Sequence, residues 1–483
     1  MTTSIPDHLA RYASALDDFD AFAASLSRPL PQTIMANPLR IAPERLPELF
    51  GGELSLTPVS WSPGAFRLSP QDRPGRLWGF TAGLYIVQEE ASLLPARLLD
   101  AQPGDRVLDL CAAPGNKTAH LALALRNRGT VMANDLKVAR LQALYDLCRR
   151  LGLCNISVSG HDGAVYPVAH AQFDRILLDA PCTSEGKAQR GYLRASSDRF
   201  RTFVCGQQRA LLRRAFELLK PGGRIVYSTC TFAPEENEAS VTAVIEELGG
   251  RLRALPSPIH IPGASPGLPE FEGKAYHPDL RHGIRLWPHR SETGGFFAIA
   301  LERAEDAGSS QAATPIAPLL EPASPALLAP GLDRFGIPAS ALDGLHVFPL
   351  GNSLRCVPTD HAPPAGIQLE TSGLELAQLS RGRARLATGG LLALGQQAQK
   401  HVIDLDRRQL DCWRQRRSQE LPSATVGDAE PGTVILRHAG IVQGGGLLRR
   451  HDDGRWDLES HFPKAWVTEA RPARSEAPPS TQP

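Results

Sequence analysis

Two cysteines that follow neighbouring strand-like segments could supply a nucleophilic thiolate. Cys182 comes directly after LLDAP, and Cys230 comes directly after VYST. A thiolate can attack an electron-poor carbon and form a covalent intermediate, but an ordinary thiol has a pKa of about 8.5 and needs a supportive setting to ionise. An isolated cysteine is more often a small buried hydrophobic residue. We assign that plainer role to Cys148, Cys154, Cys205, Cys356 and Cys412.

A loop of small residues separates a strand-like segment from a helical one further upstream. RVLDL, residues 106–110, runs into CAAPGNKT, residues 111–118, and then into AHLALAL. Small residues let the backbone approach a ligand closely, and a helix N-terminus presents unpaired N–H groups suited to a carboxylate. Such a loop can be a purely structural turn. Here it fits the methionine end of S-adenosylmethionine.

Three acids lie where strand-like segments end. Asp135 follows TVMAN, Asp162 lies in GHDGA, and Asp179 precedes the Cys182 turn. An acid at the tip of the second strand can accept hydrogen bonds from ribose hydroxyls, although a single such acid is more often a helix cap. Three of them beside the small-residue loop predict a nucleoside pocket. The sequence lacks G-x-G-x-x-G and the P-loop pattern, which argues against dinucleotide and nucleoside-triphosphate sites.

Two thiols beside such a pocket fit methylation of a pyrimidine carbon. Carbon 5 of cytosine is a poor nucleophile, but thiolate attack on carbon 6 gives an adduct whose carbon 5 can accept a methyl group. The carbon-5 proton must then leave before the enzyme is released. A second polar side chain on that face could assist this step.

The segments around these residues alternate between two patterns. Residues 106–110, 130–134, 175–179 and 224–228 are strand-like, whereas residues 136–151 and 207–219 have helical spacing. This alternation predicts an α/β fold with a doubly wound parallel sheet. Both cysteines and the small-residue loop would then lie at the carboxyl edge of the sheet, where ligands bind.

The chain of 483 residues is long enough for about three domains. GTVILRHAGIVQGGGLLRR, residues 432–450, predicts two β segments around a glycine turn in a separate C-terminal region. The predicted divisions are an N-terminal α+β module at 1–80, a methyltransferase domain at 81–303, a linker at 304–325, an intermediate C-terminal domain at 326–400, a β-rich domain at 401–470 and a disordered tail at 471–483.

Composition narrows the function classes. With 42% hydrophobic and 21% charged residues, the sequence is typical of a soluble globular protein, and we expect it in the cytoplasm because neither a signal peptide nor a membrane span is evident. A net charge of +1 argues against a protein that coats nucleic acid non-specifically. The eight cysteines show no C-x-x-C pair and no zinc spacing, so neither a disulfide framework nor a metal is expected.

Three motifs, CAAPGNKT, LLDAPCTSEG and YSTCTFAPEENE, resemble in order and spacing those of the Nol1/Nop/Sun (Fmu/Sun) family of RNA cytosine-C5 methyltransferases. The resemblance continues in residues 81–99 and 285–297, so it spans the catalytic unit. LESHFPKAW, residues 458–466, resembles the PUA-like RNA-binding end of the bacterial ribosomal small-subunit methyltransferase F subgroup. The resemblance implies a class I (Rossmann-like) methyltransferase domain with a C-terminal PUA-like region, acting on 16S ribosomal RNA.

The resemblance also implies roles for matching residues. Cys230 would attack carbon 6, Cys182 would help release the product, and Asp179 would also touch the flipped base. Ser184 stands where many relatives have the first glycine of PCSGxG, which puts the geometry of this loop in doubt. The implied contacts to S-adenosylmethionine are Cys111, Ala112, Ala113, Pro114, Gly115, Asn116, Lys117, Asp135, Asp162 and Asp179.

A target base must leave its stack, so the protein needs a basic path to the pocket. Lys187, Arg190 and Arg194 lie nearest the Cys182 loop and are the predicted RNA contacts there, with Lys464 predicted in the C-terminal region. A solvated helix face is an equally good interpretation of the basic residues from Arg209 to Arg214. The wider basic and aromatic set is Tyr192, Arg199, Phe200, Arg201, Phe203, Arg209, Arg213 and Arg214, with Arg437, His438, Arg449 and Arg450 near the C-terminus.

Other functions remain open at this stage. A methyltransferase acting on a protein or small molecule would need no paired cysteines, and a ribosome-assembly factor that has lost activity would need no intact Cys230. Within the favoured interpretation the substrate could be transfer RNA instead of ribosomal RNA. We expect RNA as the partner of a monomer, with no membrane association.

Overall fold

The structure is a computed structural model that describes residues 7–169, 171–190, 196–305 and 321–467. Arg194, most of the predicted linker at 304–325 and the predicted tail at 471–483 lie outside the described residues.

A ten-stranded mixed sheet forms the centre of the molecule. Five neighbouring strands are parallel, in the spatial order Leu219–Thr229, Phe173–Asp179, Arg106–Asp109, Thr130–Asn134 and Ile156–Ser159. The chain order reverses beside Arg106–Asp109, which makes this the switch point of a doubly wound sheet. The predicted α/β fold is confirmed.

Antiparallel strands extend this sheet beyond Leu219–Thr229. Phe296–Arg303 pairs directly with Leu219–Thr229. Ile284–Leu286 and Leu252–Leu255 both pair with Phe296–Arg303, and Ser265–Pro266 pairs with Ile284–Leu286 to form the edge. A separate two-stranded ribbon, Glu270–Phe271 with Lys274–Ala275, lies nearby in sequence.

Helices cover both faces of the sheet, each over its own hydrophobic cluster. One face carries Leu94–Leu99, Asn116–Ala124 and Gln142–Leu151, and the other carries Asp198–Leu218 and Glu238–Leu248. The helix predicted at 207–219 begins much earlier because Ser197 accepts a hydrogen bond from the N–H of Phe200 and caps it at Asp198. A short helix, Pro288–Ser291, precedes the last strand.

The N-terminal residues form a small α+β unit. Its helices are Asp7–Ala10, Phe19–Ser25, Arg45–Phe50 and Trp78–Thr81. Its four-stranded antiparallel sheet has the order Thr57–Pro58, Ala65–Arg67, Thr33–Ala36 and Tyr85–Gln88. The predicted boundary at residue 80 therefore falls too early, because Tyr85–Gln88 completes this sheet by pairing with Thr33–Ala36.

Two further sheets lie in the C-terminal part. The first is antiparallel, with strands Leu345–Leu350, Ser353–Pro358, Leu374–Ser380 and Arg383–Leu386. The second has the order Val402–Asp404, Gly432–His438, Ile441–Arg450, Trp456–Ser460 and Gln419–Leu421. The accompanying helices are Ala329–Phe335, Thr388–Leu394, Arg407–Arg414 and Ser423–Val426.

The C-terminal part is not packed as a separate region, which corrects the sequence-based expectation. Thr371–Ser372 adds a strand to the central sheet by pairing with Ile156–Ser159. Trp78 and Trp413 belong to one hydrophobic cluster shared by the N-terminal sheet and the second C-terminal sheet. Apolar residues of the two C-terminal sheets also belong to one cluster. The predicted domain boundary at residue 400 therefore does not separate two hydrophobic cores.

The predicted glycine turn lies at Ala439 and Gly440, where both residues have positive φ. The three glycines 444–446 remain inside the Ile441–Arg450 strand. A Cβ on Gly444 would lie 3.0 Å from the ring of Trp413, so close packing explains a glycine at this position.

Candidate active site

A cleft of about 1010 Å³ opens at the carboxyl edge of the parallel strands. N-terminal residues such as Gln88 form part of its wall. Lys464 does not line the cleft. The cleft brings together fourteen sequence-predicted residues: Cys111, Ala112, Ala113, Pro114, Gly115, Asn116, Lys117, Asp135, Asp162, Asp179, Cys182, Lys187, Arg190 and Cys230.

The small-residue loop is held against the second parallel strand. The N–H of Ala112 donates to the carbonyl of Asn134 at 2.7 Å, and the N–H of Ala113 donates to the Asp135 carboxylate at 3.2 Å. Gly115 has a φ of +114°, and a Cβ there would lie 2.7 Å from Leu144. Glycine is therefore required where the loop turns into the Asn116–Ala124 helix, whose N-terminus borders the cleft.

The predicted acids differ in how they are paired. Asp135 is nearly buried, accepts from the N–H of Lys137 at 3.0 Å and has the Arg140 guanidinium 3.4 Å away. Asp162 accepts from the N–H of Ala164 at 2.9 Å, so it caps a short turn while lining the cleft. One of the three acids is thus a turn cap as well as a candidate ligand contact.

Asp109 was missed by the sequence analysis although it ends the first parallel strand. Its side chain is buried, one oxygen accepts from the Thr118 hydroxyl at 2.7 Å, and the other oxygen has no hydrogen-bond partner in the part of the chain that the structure describes. Burial raises the pKa of Asp109 to about 7. An orphaned buried carboxylate oxygen in the cleft wall suits a ligand that brings N–H or O–H donors, as the amine and ribose of S-adenosylmethionine do. The residues present therefore fit this cofactor.

The two predicted catalytic cysteines face each other, with their sulfurs 3.3 Å apart. A hydrogen bond from the Cys182 thiol lowers the pKa of Cys230 to about 6; burial opposes this shift, and the positive charge of Lys187 supports it. The same hydrogen bond, followed by burial, raises the pKa of Cys182 well above its ordinary value. At neutral pH the pair therefore consists of a Cys230 thiolate and a Cys182 thiol.

Lys117 and Asp179 form an ion pair beside the sulfurs. Lys117 Nζ donates to Asp179 at 2.7 Å, and the Ser228 hydroxyl donates to the other oxygen of Asp179 at 2.8 Å. Burial acts to lower the pKa of Lys117, but the Asp179 carboxylate outweighs burial, and the pKa is raised. The ion pair lies between the small-residue loop and Cys230, and it favours the charged form of Lys117.

Close backbone contacts join the two cysteine loops. The N–H of Gly186 donates to the carbonyl of Cys230 at 2.9 Å, and the N–H of Gly295 donates to the carbonyl of Gly186 at 2.9 Å. A Cβ on Gly186 would lie 2.2 Å from the Gly295 oxygen, so only glycine fits. Buried Glu236 adds a side-chain link by accepting from the N–H of Thr183 at 3.0 Å.

Buried charged residues that the sequence analysis did not assign support these loops. Arg285 donates to Glu238 at 2.6 Å and to the carbonyl of Phe232, just after Cys230, at 2.9 Å. The Tyr12 hydroxyl of the N-terminal unit donates to Glu185 in the Cys182 loop at 2.6 Å. The acid-rich PEENE run after Cys230 was the available signal, but its partners lie far away along the chain.

The structure separates paired from unpaired cations around the cleft. Arg213 pairs with Glu247 at 2.7 Å and Arg214 pairs with Glu217 at 2.5 Å, which favours a structural role for these two. Among the described members of the predicted basic set, four have no ion pair and no hydrogen bond to an acid: Lys187, Arg190, Arg199 and Arg209.

Most predicted cations of the C-terminal region already have partners. Arg437 pairs with Asp404 at 2.7 Å, and Arg449 pairs with Glu459 at 2.6 Å. Arg450 lies over the ring of Trp456, and the His438 ring contacts the Leu405 carbonyl at 2.8 Å. Lys464 is exposed.

Neither a metal site nor a membrane-spanning helix is found in the described ranges. Among residues 7–169, 171–190, 196–305 and 321–467, no three His, Cys, Asp or Glu side chains group so that they could hold a metal ion. Within the same part of the chain, no helix combines the length and apolar character needed to span a bilayer.

Comparisons with known proteins agree with the geometry of the cleft. The family described as 16S rRNA methyltransferase RsmB/F matches residues 96–302, and the N-terminal domain of 16S rRNA methyltransferase RsmF matches residues 6–90. The tRNA (cytosine(49)-C(5))-methyltransferase of Pyrococcus abyssi is 34% identical over 299 residues, which cover 60% of this chain and 94% of that protein. The chain belongs to the Nol1/Nop/Sun family of RNA cytosine-C5 methyltransferases. It is an S-adenosylmethionine-dependent RNA methyltransferase.

Other members of this family align over different lengths. Ribosomal RNA small subunit methyltransferase F of Cronobacter sakazakii is 29% identical over 441 residues, covering 88% of each chain. The same-named protein of Enterobacter sp. is 36% identical over 314 residues, and this alignment spans 63% of the present chain but only 62% of that protein.

Solved structures show the same fold. A methyltransferase homolog protein from Pyrococcus horikoshii, 32% identical, superposes with a TM-score of 0.52 over 59% of this chain and 90% of that chain. NSun6 from Pyrococcus horikoshii with SFG has a TM-score of 0.54 over 63% of this chain and 100% of that chain, at 23% identity. The class I, Rossmann-like methyltransferase fold of the central domain is confirmed.

Proposed function

We propose that this protein methylates carbon 5 of a cytosine in small-subunit ribosomal RNA, with Cys230 as the nucleophile. The observation that carries the proposal is the pair of sulfurs 3.3 Å apart in one cleft with the small-residue loop. Ribosomal RNA is favoured over transfer RNA because the match at residues 6–90 is to the RsmF N-terminal domain and an alignment over 441 residues is to a small-subunit methyltransferase F.

The chain's own residues would arrange the cofactor at the switch point of the sheet. The 111–117 loop and the N-terminus of Asn116–Ala124 suit the carboxylate of S-adenosylmethionine, while Asp135 and Asp162 suit hydroxyl groups. When bound there, S-adenosylmethionine supplies an electrophilic methyl group on its sulfonium sulfur.

The lowered pKa of Cys230 gives the first step its nucleophile. The thiolate donates an electron pair to carbon 6 of the cytosine, and the electrons of the carbon 5–carbon 6 double bond move to carbon 5. Carbon 5 can then take the methyl group. Lys117 and Asp179 remain paired at the cleft wall, where Asp179 can accept hydrogen bonds from the base.

The hydrogen bond between the two thiols explains how Cys182 can act as the base that removes the carbon-5 proton after methyl transfer. Before attack, the Cys230 thiolate holds the proton of Cys182 in a hydrogen bond. Once the Cys230 sulfur is bonded to carbon, this charge is gone, so Cys182 can lose its proton to water and take the carbon-5 proton. The double bond then re-forms, and the bond between sulfur and carbon 6 breaks.

RNA would reach the cleft along the unpaired cations of its rim. Lys187 and Arg190 line the cleft, and Arg199 lies near the start of the Asp198–Leu218 helix. Phe203, 65% exposed, lies one turn before Gln207, which lines the cleft on the same helix face. An exposed ring between cations suits stacking with an unpaired base.

We propose the second C-terminal sheet as a PUA-like RNA contact with Lys464 at its surface. Its core is shared with the N-terminal sheet, and Val59 and Trp61 of the N-terminal unit belong to the same cluster as one face of the central sheet, so an RNA held by either unit would keep a fixed geometry to the cleft. The N-terminal unit would also bind RNA.

Bisulfite sequencing of total RNA tests the proposal. Cells with the gene deleted should lose one protected cytosine in small-subunit ribosomal RNA, and wild type but not Cys230→Ala should restore it. Loss of a protected transfer RNA cytosine would overturn the substrate assignment. Survival of every protected cytosine would overturn the proposed reaction on abundant RNA.

A further inference from the structure

Ser184 is a feature of this chain that the proposed mechanism does not use. It lies in the Cys182 loop with a φ of +61°, in the left-handed region where residues with a Cβ are uncommon. The PCSGxG pattern has a glycine here, and glycine would adopt this backbone without strain. The serine therefore brings a side chain to a position that does not favour one.

The side chain of Ser184 is directed at the reacting sulfurs. Its hydroxyl oxygen lies 3.5 Å from the sulfur of Cys230 and 3.8 Å from the sulfur of Cys182. Both distances are within hydrogen-bond range for sulfur, and a hydroxyl can rotate its proton toward either neighbour. A glycine at this position would place no donor between the two thiols.

We propose that Ser184 is a positioning residue for the nucleophile: its hydroxyl oxygen accepts from the Cys230 thiol in the structure, and once that thiol has lost its proton the hydroxyl turns to donate to the sulfur and favours the charged thiolate. A hydrogen bond to an ionised acceptor is stronger than one between neutral groups, so the bond favours the thiolate over the thiol. The thiolate then has two donors, the Ser184 hydroxyl and the Cys182 thiol.

The same hydroxyl has a second acceptor later in the reaction, a part of the inference that rests on the proposed function. When the Cys230 sulfur is bonded to carbon 6, it is a poor acceptor. The Ser184 hydroxyl can then turn to Cys182 and stabilise its thiolate while that group takes the carbon-5 proton.

Other groups that act on Cys230 come from several elements. Lys187 lowers its pKa and Asp179 raises it, whereas Lys117 lies beside Asp179 on the helix after the small-residue loop. Glu236 faces Cys182 from behind the second loop. Substituting Ser184 alters none of these charges, so a changed titration of Cys230 would report the hydroxyl.

Alkylation of the full-length protein by iodoacetamide, followed by peptide mass spectrometry, measures the titration of Cys230 directly. Ser184→Gly keeps a residue suited to the backbone, and Ser184→Ala keeps the Cβ; both remove the hydroxyl. We expect both variants to alkylate Cys230 about threefold to tenfold more slowly near pH 5.5, and at the parent rate near pH 9, where Cys230 is ionised in the parent and in both variants. Cys230→Ala identifies the reactive peptide.

A role in loop shape alone makes a different prediction. Ser184→Gly would then match the parent at every pH, and such superimposed profiles would overturn the inference. If Ser184→Ala does not fold, the glycine variant alone decides. Because alkylation needs neither RNA nor cofactor, this outcome is independent of whether the protein methylates ribosomal RNA.

Discussion

The rim of the cleft and the surface of the second C-terminal sheet both carry basic residues, but they use them differently. At the rim, Lys187 and Arg190 have no acidic partner among the described residues, whereas in the C-terminal sheet Arg437 and Arg449 are matched with acids. An arginine that is already paired with a carboxylate contributes less binding free energy to a phosphate contact, because its ion pair must first be broken. The comparison teaches that a candidate RNA-binding surface is better recognised by basic residues without an acidic partner than by the density of basic residues in the sequence.

The largest expected difference between the two regions is chemical. Cys230→Ala should lower methyl transfer to RNA at least about a thousandfold, because no other group can form the bond to carbon 6. Cys412→Ala, which removes a partly exposed cysteine of the C-terminal region, should leave the rate unchanged. Incorporation of labelled methyl groups measures both. A Cys230→Ala enzyme with a tenth of the parent rate would contradict the assignment.

The next largest difference concerns ion pairs. Glu238→Gln breaks the buried pair with Arg285 and should lower the free energy of unfolding by about 3–5 kcal/mol, because an unpaired charge is left in the core. Glu459→Gln breaks the exposed pair with Arg449 and should cost about 0–1 kcal/mol. Urea denaturation compares them, and equal losses would show that burial does not distinguish the two pairs.

A smaller effect, on RNA binding, is expected from removing the unpaired basic residues of the rim. The double variant Lys187→Ala, Arg190→Ala should bind RNA about tenfold more weakly, and its salt dependence should fall by about 1.4–1.8 in log–log slope, because two phosphate contacts are lost. The matched variant Arg437→Ala, Arg449→Ala should bind within about twofold of the parent. Titrations at several salt concentrations provide the measurement. The reverse ranking would place the RNA path on the C-terminal sheet.

The smallest expected effect is on base stacking. Phe203→Ala should weaken binding of single-stranded RNA about threefold to tenfold, with an unchanged salt slope, because a ring and not a charge is removed. Leu350→Ala, an exposed apolar residue of the first C-terminal sheet, is the control and should have no effect. A change in salt slope for Phe203→Ala would indicate a different role for this residue.

The sequence allowed the catalytic site to be predicted because its residues follow the ends of parallel strands. Cys111, Asp135, Asp179, Cys182 and Cys230 each lie at a strand end or shortly after it, and the carboxyl ends of parallel strands meet at one edge whatever the loop details. The order and direction of the strands are therefore enough to predict that these residues lie close together.

The supporting residues could not be predicted in the same way. Arg285 and Glu238 are ordinary charged residues in the sequence, and only the tertiary fold brings them together and buries them. The Ile156–Ser159 strand was also missed, because its alternating serines are typical of an exposed edge, whereas here Ser157 and Ser159 are buried and hydrogen-bonded. The packing of the C-terminal part on the other two units likewise depends on contacts between distant segments.

The most direct test of the central claim is a search for the covalent intermediate by denaturing gel electrophoresis. With RNA and S-adenosylmethionine, Cys182→Ala should accumulate a protein–RNA adduct that survives denaturation, because Cys230 can still attack but release is impaired. Cys230→Ala and the double variant should form none. An adduct with Cys230→Ala, or undiminished turnover without an adduct in Cys182→Ala, would contradict the division of roles between the two thiols.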